Sequence, residues 1–214
     1  MSHSKPRERG VAQGSTWAHV GRGLTRRQWL AGVTAAALAA IARAASAEEA
    51  RIPARLQAEL LAKVAAYDGG FSARSGGRAH VLVVVAPELA DSERFGALIR
   101  AELAKQPKIG GVEHMEELVR YSTPEELARL CRERRAAVVY LAPGLSRVAE
   151  GIADALTGLD VLSVSAVPDD IAHRIVLGFE LVSGKPKLLV NLPQAQRQHV
   201  AFRPELLRLA RIFQ

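Results

Sequence analysis

The segment from residue 48 to the C-terminus holds few residues of types suited to chemistry. The candidates are His80, His114, His173 and His199, the single cysteine Cys131, the serines nearest to strand ends, Ser146 and Ser163, and the adjacent pair Asp169-Asp170. A helical metal site needs two histidines four residues apart, as in His-Glu-x-x-His, so that both rings share one face. No two of these histidines have that spacing, and single structural or surface histidines are expected. Neither serine lies in a Gly-x-Ser-x-Gly elbow, the turn that exposes a nucleophile above a sheet. One cysteine excludes an internal disulfide framework and a cysteine-based zinc cage. Cys131 follows Leu127 by four residues and Leu130 by one, which puts it on the apolar face of a helix as a small hydrophobe. Arg132, Arg134 and Arg135 would lower its pKa were it exposed, which leaves a redox role open. Asp169-Asp170 follows Pro168 and reads as a solvated turn, with cation binding as the alternative. The loop Ala86-Pro87-Glu88-Leu89-Ala90-Asp91 has no glycine to bring backbone N–H groups onto a phosphate, and its acids would repel one. Gly69, Gly70, Gly76 and Gly77 precede a strand and read as a flexible loop. No catalytic, cofactor-binding or metal-binding residue is assigned, and the chain is not expected to be an enzyme.

The elements that would position these residues alternate. Residues 53–67 repeat Leu56, Leu60, Val64 and Tyr67 at helical spacing. His80 to Ala86 is a continuous β-branched run of the kind buried on both faces of a parallel sheet. Residues 91–105 are helical with Phe95, Leu98, Ile99 and Leu103 on one side, and Met115 to Tyr121 is a weaker strand. Thr123-Pro124-Glu125-Glu126 starts a helix, with a hydroxyl cap and proline in the first turn. That helix runs to about Arg134. Ala136 to Leu141 is the next buried strand, residues 146–156 a helix, and Asp160 to Ser165 a short strand. Arg174 to Val182 and Lys187 to Leu192 flank Ser183-Gly184-Lys185-Pro186 as an antiparallel hairpin. Two short helices close the chain, the last with Leu206, Leu209, Ala210 and Phe213 on one face. The expected fold class is α/β, a three-layer α/β/α sandwich whose sheet is mostly parallel with an antiparallel C-terminal hairpin. Val81–Val85 and Ala137–Leu141 should be its central strands.

Of 214 residues, 49% are hydrophobic and only 5% aromatic, so the core must be built mainly from Leu, Val, Ile and Ala. Seven of the 29 bases but only one of the 22 acids, Glu8, lie in residues 1–47. That segment therefore carries nearly all of the net charge of +7, and the rest is nearly neutral. A neutral body lacks the basic face that nucleic acid requires. Thr25-Arg26-Arg27-Gln28-Trp29-Leu30-Ala31 resembles the twin-arginine (Tat) export motif, with Trp29 where that motif usually has Phe. The uncharged run Trp29 to Ala42 is shorter than the roughly 20 residues of a membrane span. Arg43 closes it and Ala45-Ser46-Ala47 reads as a cleavage site. The expectation is a Tat signal peptide over 1–47, cut between Ala47 and Glu48, and one periplasmic domain over 48–214.

The C-terminal stretch is the most distinctive part. Ile175 to Lys185, then Leu188-Leu189-Val190-Asn191-Leu192, Ala195 and Leu206-Leu207-Arg208-Leu209-Ala210 resemble the ending of the YfiR/HmsC-like family of periplasmic proteins. The opening helix, with Leu60, Leu61, Lys63, Val64 and Tyr67, is similar to the family's start. The resemblance implies a non-enzymatic α/β domain without cofactor. It also implies a protein-binding regulator whose partner is an inner-membrane sensor with a periplasmic domain. Relatives of that kind repress a diguanylate cyclase and so act in cyclic-di-GMP and biofilm signalling. A homodimer is left open. With Cys131 alone, the disulfide-forming cysteines of the best understood relative cannot be carried over, and Phe202-Arg203-Pro204 replaces the family's usual Ser-Ser pair. The alternative is a small-ligand-binding module, with its crevice at the carboxyl ends of the strands, near Ala86-Pro87, Ala142-Pro143 and Ser165.

Overall fold

A computed structural model describes residues 52–214. Arg26, Arg27, Ala47 and Glu48 lie outside the described residues. The elements are α1 (Ala54–Val64), α2 (Phe71–Ser75), β1 (Arg78–Val85), α3 (Ala90–Ala104), β2 (Glu113–Arg120), α4 (Pro124–Arg134) and β3 (Ala136–Leu141). There follow α5 (Ala149–Ala155), β4 (Leu162–Ser165), β5 (Leu177–Val182), β6 (Lys185–Asn191), α6 (Leu192–Arg197), α7 (Pro204–Leu207) and β7 (Ala210–Phe213). The strands form one seven-stranded sheet in the order β2-β1-β3-β4-β5-β6-β7. All neighbours are parallel except β5 and β6, which are antiparallel. Both β1 and β3 are internal, as their unbroken apolar runs require. Their side chains alternate between two cores. Val81, Val83, Val138 and Tyr140 pack under Leu61, Phe71, Ile99 and Leu103 from α1, α2 and α3. Leu82, Val84, Val139 and Leu141 face Leu127, Cys131, Ile152 and Ala153 from α4 and α5. The result is the expected three-layer α/β/α arrangement.

The helices bury Val64, Ile99 and Leu103 as expected, but their contact faces are shifted from the one the remaining large hydrophobes mark. On α1 the buried residues are Ala54, Gln57, Ala58, Leu61 and Val64. Leu56 and Leu60 only flank the core, and Tyr67 is largely exposed. On α3 the buried residues are Ser92, Gly96, Ile99 and Leu103, while Leu98 is 50% exposed. Small residues win these positions because the helix lies close on the sheet. A methyl at Gly96 would run into Val85 Cγ1. Gln57 is buried because it links two groups that also lack water: its Nε2 donates to Ile52 O at 2.8 Å and its Oε1 accepts from the Tyr140 hydroxyl at 2.6 Å. Helix α4 begins as its sequence predicts, with Thr123 Oγ1 accepting the Glu126 N–H at 3.2 Å.

Three local expectations are corrected. The glycine-flanked segment holds the short helix α2, whose Phe71 is buried, and is not simply a loop. The hairpin turn is only Ser183-Gly184, both at positive φ (50° and 74°), so Lys185 and Pro186 already belong to β6. Such a two-residue turn matches the strands' twist, whereas a four-residue loop is not needed. The final helix stops at Leu207, and Ala210–Phe213 is the edge strand β7, parallel to β6. The open N–H and C=O groups of β6 need partners, and this supplies them; over four residues, helical spacing could not tell the two outcomes apart.

Candidate functional site

The carboxyl ends of β1, β3 and β4 are tied by local contacts, and a recess of about 120 Å³ lies beside the carboxyl end of β2, lined by Val119, Tyr121, Ser122 and Leu127. The Ala86 N–H donates to Ser92 Oγ at 2.8 Å, and the Ala142 N–H to Val84 O at 2.9 Å. Gly144, at φ 99°, lies so close to Leu89 that a side chain there would collide with it. Leu89, 44% exposed, thus touches both the loop after β1 and the loop after β3. Ser165 Oγ donates to Asp170 Oδ2 at 2.6 Å and accepts the Val167 N–H at 3.0 Å. Asp170 is 0% exposed, which corrects the solvated-turn reading; only its neighbour Asp169 faces water. The two carboxylates occupy different environments and do not form a pair.

The remaining chemically suited residues are dispersed. His80 places Nε2 at 3.2 Å from Glu117 and Nδ1 at 3.1 Å from Arg134 O. His114 contacts Glu116 and lies 2.8 Å from Gln106 O. His173 meets Glu150 at 3.3 Å, and His199 meets Asp160 at 2.6 Å. Each ring pairs with a different acid, and among the described residues no three metal-ligating groups converge. Ser146 opens a 3₁₀ turn beside α5. Ser163 is buried in β4, its Oγ accepting the Val176 N–H at 3.1 Å and its own N–H donating to Gln198 Oε1 at 3.2 Å. Cys131 is 4% exposed and burial pushes its thiol up to about 12, against the weaker pull of Arg132. At neutral pH it is a protonated packing group.

A cavity opens instead at the amino ends of β3 and β4. It measures about 320 Å³ and is lined by Arg74, Cys131, Arg132, Arg135, Ala136, Gly158, Leu159, Asp160 and Val161. The mechanism of assembly is local. Helix α2 brings in Arg74. The end of α4 brings Arg132, and its left-handed cap at Arg135 (φ 49°) turns the chain into β3. The turn after α5 brings Gly158 to Asp160. A more open recess of about 330 Å³ adjoins it through Arg74 and Asp160, and adds Gly70, Ala73 and His199. A wider groove of about 570 Å³ runs between α4 and α5 past Pro124, Ala128 and Gly151. Sequence reasoning named Arg132 and Arg135 only as neighbours of Cys131 and missed Arg74 and Asp160. The only local signal was a charged residue inside a glycine-flanked segment.

Next to this cavity, where the Gly158 N–H donates to Arg197 O at 2.8 Å, the residues of the distinctive C-terminal stretch are structural. Asn191 Oδ1 accepts the Gln194 N–H at 3.0 Å and caps α6, while its Nδ2 donates to Ile171 O at 2.9 Å. Gln194 Nε2 donates to Ala153 O at 2.8 Å. Ala195 is fully buried and Leu206 nearly so.

A family model described as YfiR/HmsC-like matches residues 54–211. No curated protein matches the chain. Among solved structures, a conserved domain protein from Vibrio cholerae O1 biovar El Tor is similar with a TM-score of 0.52 at 13% identity, over 76% of this chain and 60% of that one. The ABC domain from Streptococcus pneumoniae, solved in complex with L-Trp, has a TM-score of 0.52 at 10% identity, over 75% of this chain and 61% of that one. The chain thus spans about three fifths of each, and at these identities the likeness is one of fold.

Proposed function

The chain belongs to the YfiR/HmsC-like family, and on that premise we propose that it is an exported, non-catalytic regulator. It works by reversible association with the periplasmic portion of an inner-membrane sensor protein, in the manner of relatives that repress a diguanylate cyclase. The observation that carries this reading is the reach of the family match, from α1 into β7 and so through every strand of the sheet. Among the residues on which the C-terminal resemblance rests, the buried Asn191 and Ala195 help to dock α6 onto the sheet. Among the described residues no helix is long and apolar enough to cross a membrane.

Export is part of the proposal. Residues 1–47 serve as a twin-arginine signal, with Arg26 and Arg27 as the recognised pair and Ala47-Glu48 as the cleavage point. Changing both arginines to lysine should retain the precursor in the cytoplasm, and the intact mass of the exported protein should begin at Glu48. Undiminished periplasmic delivery of the double variant would remove the twin-arginine element.

Deleting the gene should change intracellular cyclic-di-GMP and matrix output, and restoring the full chain should reverse the change. Affinity capture from envelope extracts should return an inner-membrane protein with a periplasmic portion. Unaltered cyclic-di-GMP and matrix in the deletion strain would overturn the regulatory reading. Sedimentation of the purified chain decides whether a second copy is also a partner.

A further inference from the structure

We propose that the end of the β5–β6 hairpin, with the turn that leads into β7, is a surface that rests on an anionic phospholipid bilayer. The near-neutral charge after residue 47 is unevenly divided. Residues 48–176 hold 16 bases and 19 acids, whereas residues 177–214 hold six bases and two acids. The basic excess thus belongs to the segment that supplies β5, β6 and the edge strand β7. The opposite edge strand, β2, carries Glu113, Glu116 and Glu117. An anionic surface therefore attracts the β7 edge and repels the β2 edge, which sets the orientation of approach.

The hairpin end joins that charge to exposed apolar side chains. Val182 is 49% exposed and lies opposite Lys185 across the Ser183-Gly184 turn. Leu209, 66% exposed, comes just before Ala210, which pairs with Leu188 next to Lys187. Every residue from Val182 to Pro186 is exposed. The acid within the hairpin is already engaged, since Arg211 lies 3.7 Å from Glu180. Lys185, Lys187 and Arg208 pair with no acid among the described residues. Aliphatic groups flanked by unpaired cations are what an interfacial contact needs. The apolar groups enter the acyl boundary while the lysine and arginine heads meet phosphate headgroups. A two-residue turn presents a narrow end and no groove, which suits a fluid headgroup layer better than a preshaped acidic protein.

The proposal goes beyond the regulatory reading, and its test needs no partner protein, so either can fail alone. Residues 48–214, which hold every strand and both cores, are mixed with vesicles of phosphatidylcholine alone or with about 30% phosphatidylglycerol. Residues 1–47 are left out because their seven bases would themselves adsorb. Sedimentation should carry the chain down with the anionic vesicles only, and raising the salt from about 0.05 M to about 0.5 M should release most of it. Lys185→Gln combined with Lys187→Gln and Arg208→Gln should weaken binding about tenfold or more. The same loss of charge around α3, by Arg94→Gln, Arg100→Gln and Lys105→Gln, should change it little. Both tryptophans, Trp17 and Trp29, precede Glu48, so Val182→Trp gives a single reporter at the hairpin end. Its emission should shift to the blue on anionic vesicles, whereas that of Leu98→Trp should not. The lipid comparison and the tryptophan reporters decide even if the hairpin variant misfolds. The proposal is overturned by any of these: no binding to anionic vesicles, equal binding to phosphatidylcholine, an unshifted Val182→Trp emission, or equal weakening in the α3 variant. Oligomers that form without vesicles and dissociate in the hairpin variant would assign the surface to a second copy, and overturn it too.

Discussion

Cys131 keeps its proton because loss of water around the sulfur outweighs the nearby positive charge of Arg132. A thiolate-selective reagent should therefore label the native protein slowly at pH 8 and rapidly in denaturant, as followed by intact mass. The same burial has a consequence for stability. In the unfolded chain the thiol titrates near its ordinary value of 9.0, and in the folded chain near about 12. Between these pH values the native state holds more protons than the unfolded one, so stability falls as pH rises from about 9. Cys131→Ala should flatten that alkaline decline in urea midpoints, whereas the wild-type slope should persist in a variant altered elsewhere. Tyr140, whose hydroxyl is also pushed up by burial, remains and contributes a decline of the same sign. Gly96 carries a second expectation. Gly96→Ala should cost about 1–3 kcal/mol by overpacking against Val85, read by chemical unfolding. The identity of these residues was plain in the sequence; their surroundings were not. Cys131 lay on a helical repeat whose apolar face was legible. Asp169 and Asp170 look alike in sequence, and only the approach of Ser165 separates the buried one from the exposed one.

Elements were legible where their signals were local. The runs that became β1 and β3 have no polar interruption, and Thr123-Pro124 marks a helix start by hydrogen-bonding chemistry alone. Thr123→Ala should lower stability by about 1 kcal/mol, measured as a shift in unfolding midpoint with the denaturant slope unchanged. Turn chemistry allows an improvement as well. Ser183 is held at φ 50° ahead of Gly184, a position asparagine occupies more readily than serine. Ser183→Asn should stabilise the β5–β6 hairpin by a few tenths of a kcal/mol up to about 1 kcal/mol, visible as a higher melting temperature. Strand β7 was not legible, because Leu206, Leu209, Ala210 and Phe213 fit a helical stripe. What decides its state is the edge of β6, a partner that no window around those residues contains. On α1 and α3 the large side chains mark only part of the buried face: Val64, Ile99 and Leu103 lie in it, but close packing also selects alanine and glycine, which carry no hydrophobic signal of comparable size.

At the scale of the whole molecule, the cavity is assembled from α2, the end of α4 and the turn before β4, segments far apart in sequence. Its three arginines are separated by up to about sixty residues, so their convergence is a property of the topology alone. One tie within it reaches further. Asp68 accepts the N–H of Ala201, Gly69 donates to Ala201 O at 2.9 Å, and Arg203 donates to Tyr67 O at 2.8 Å. The turn that presents Arg74 is thereby stitched to a segment made more than 130 residues later. During synthesis Asp68 waits for one of its donors until the chain has passed Ala201. A product that stops earlier lacks the Ala201 donor and the segment that covers Asp68, and leaves that carboxylate and the Arg74 guanidinium paired with it open to water. A chain ended before Ala201 should therefore be cut by proteases near Arg74 sooner than the full chain, as followed by limited proteolysis and intact mass.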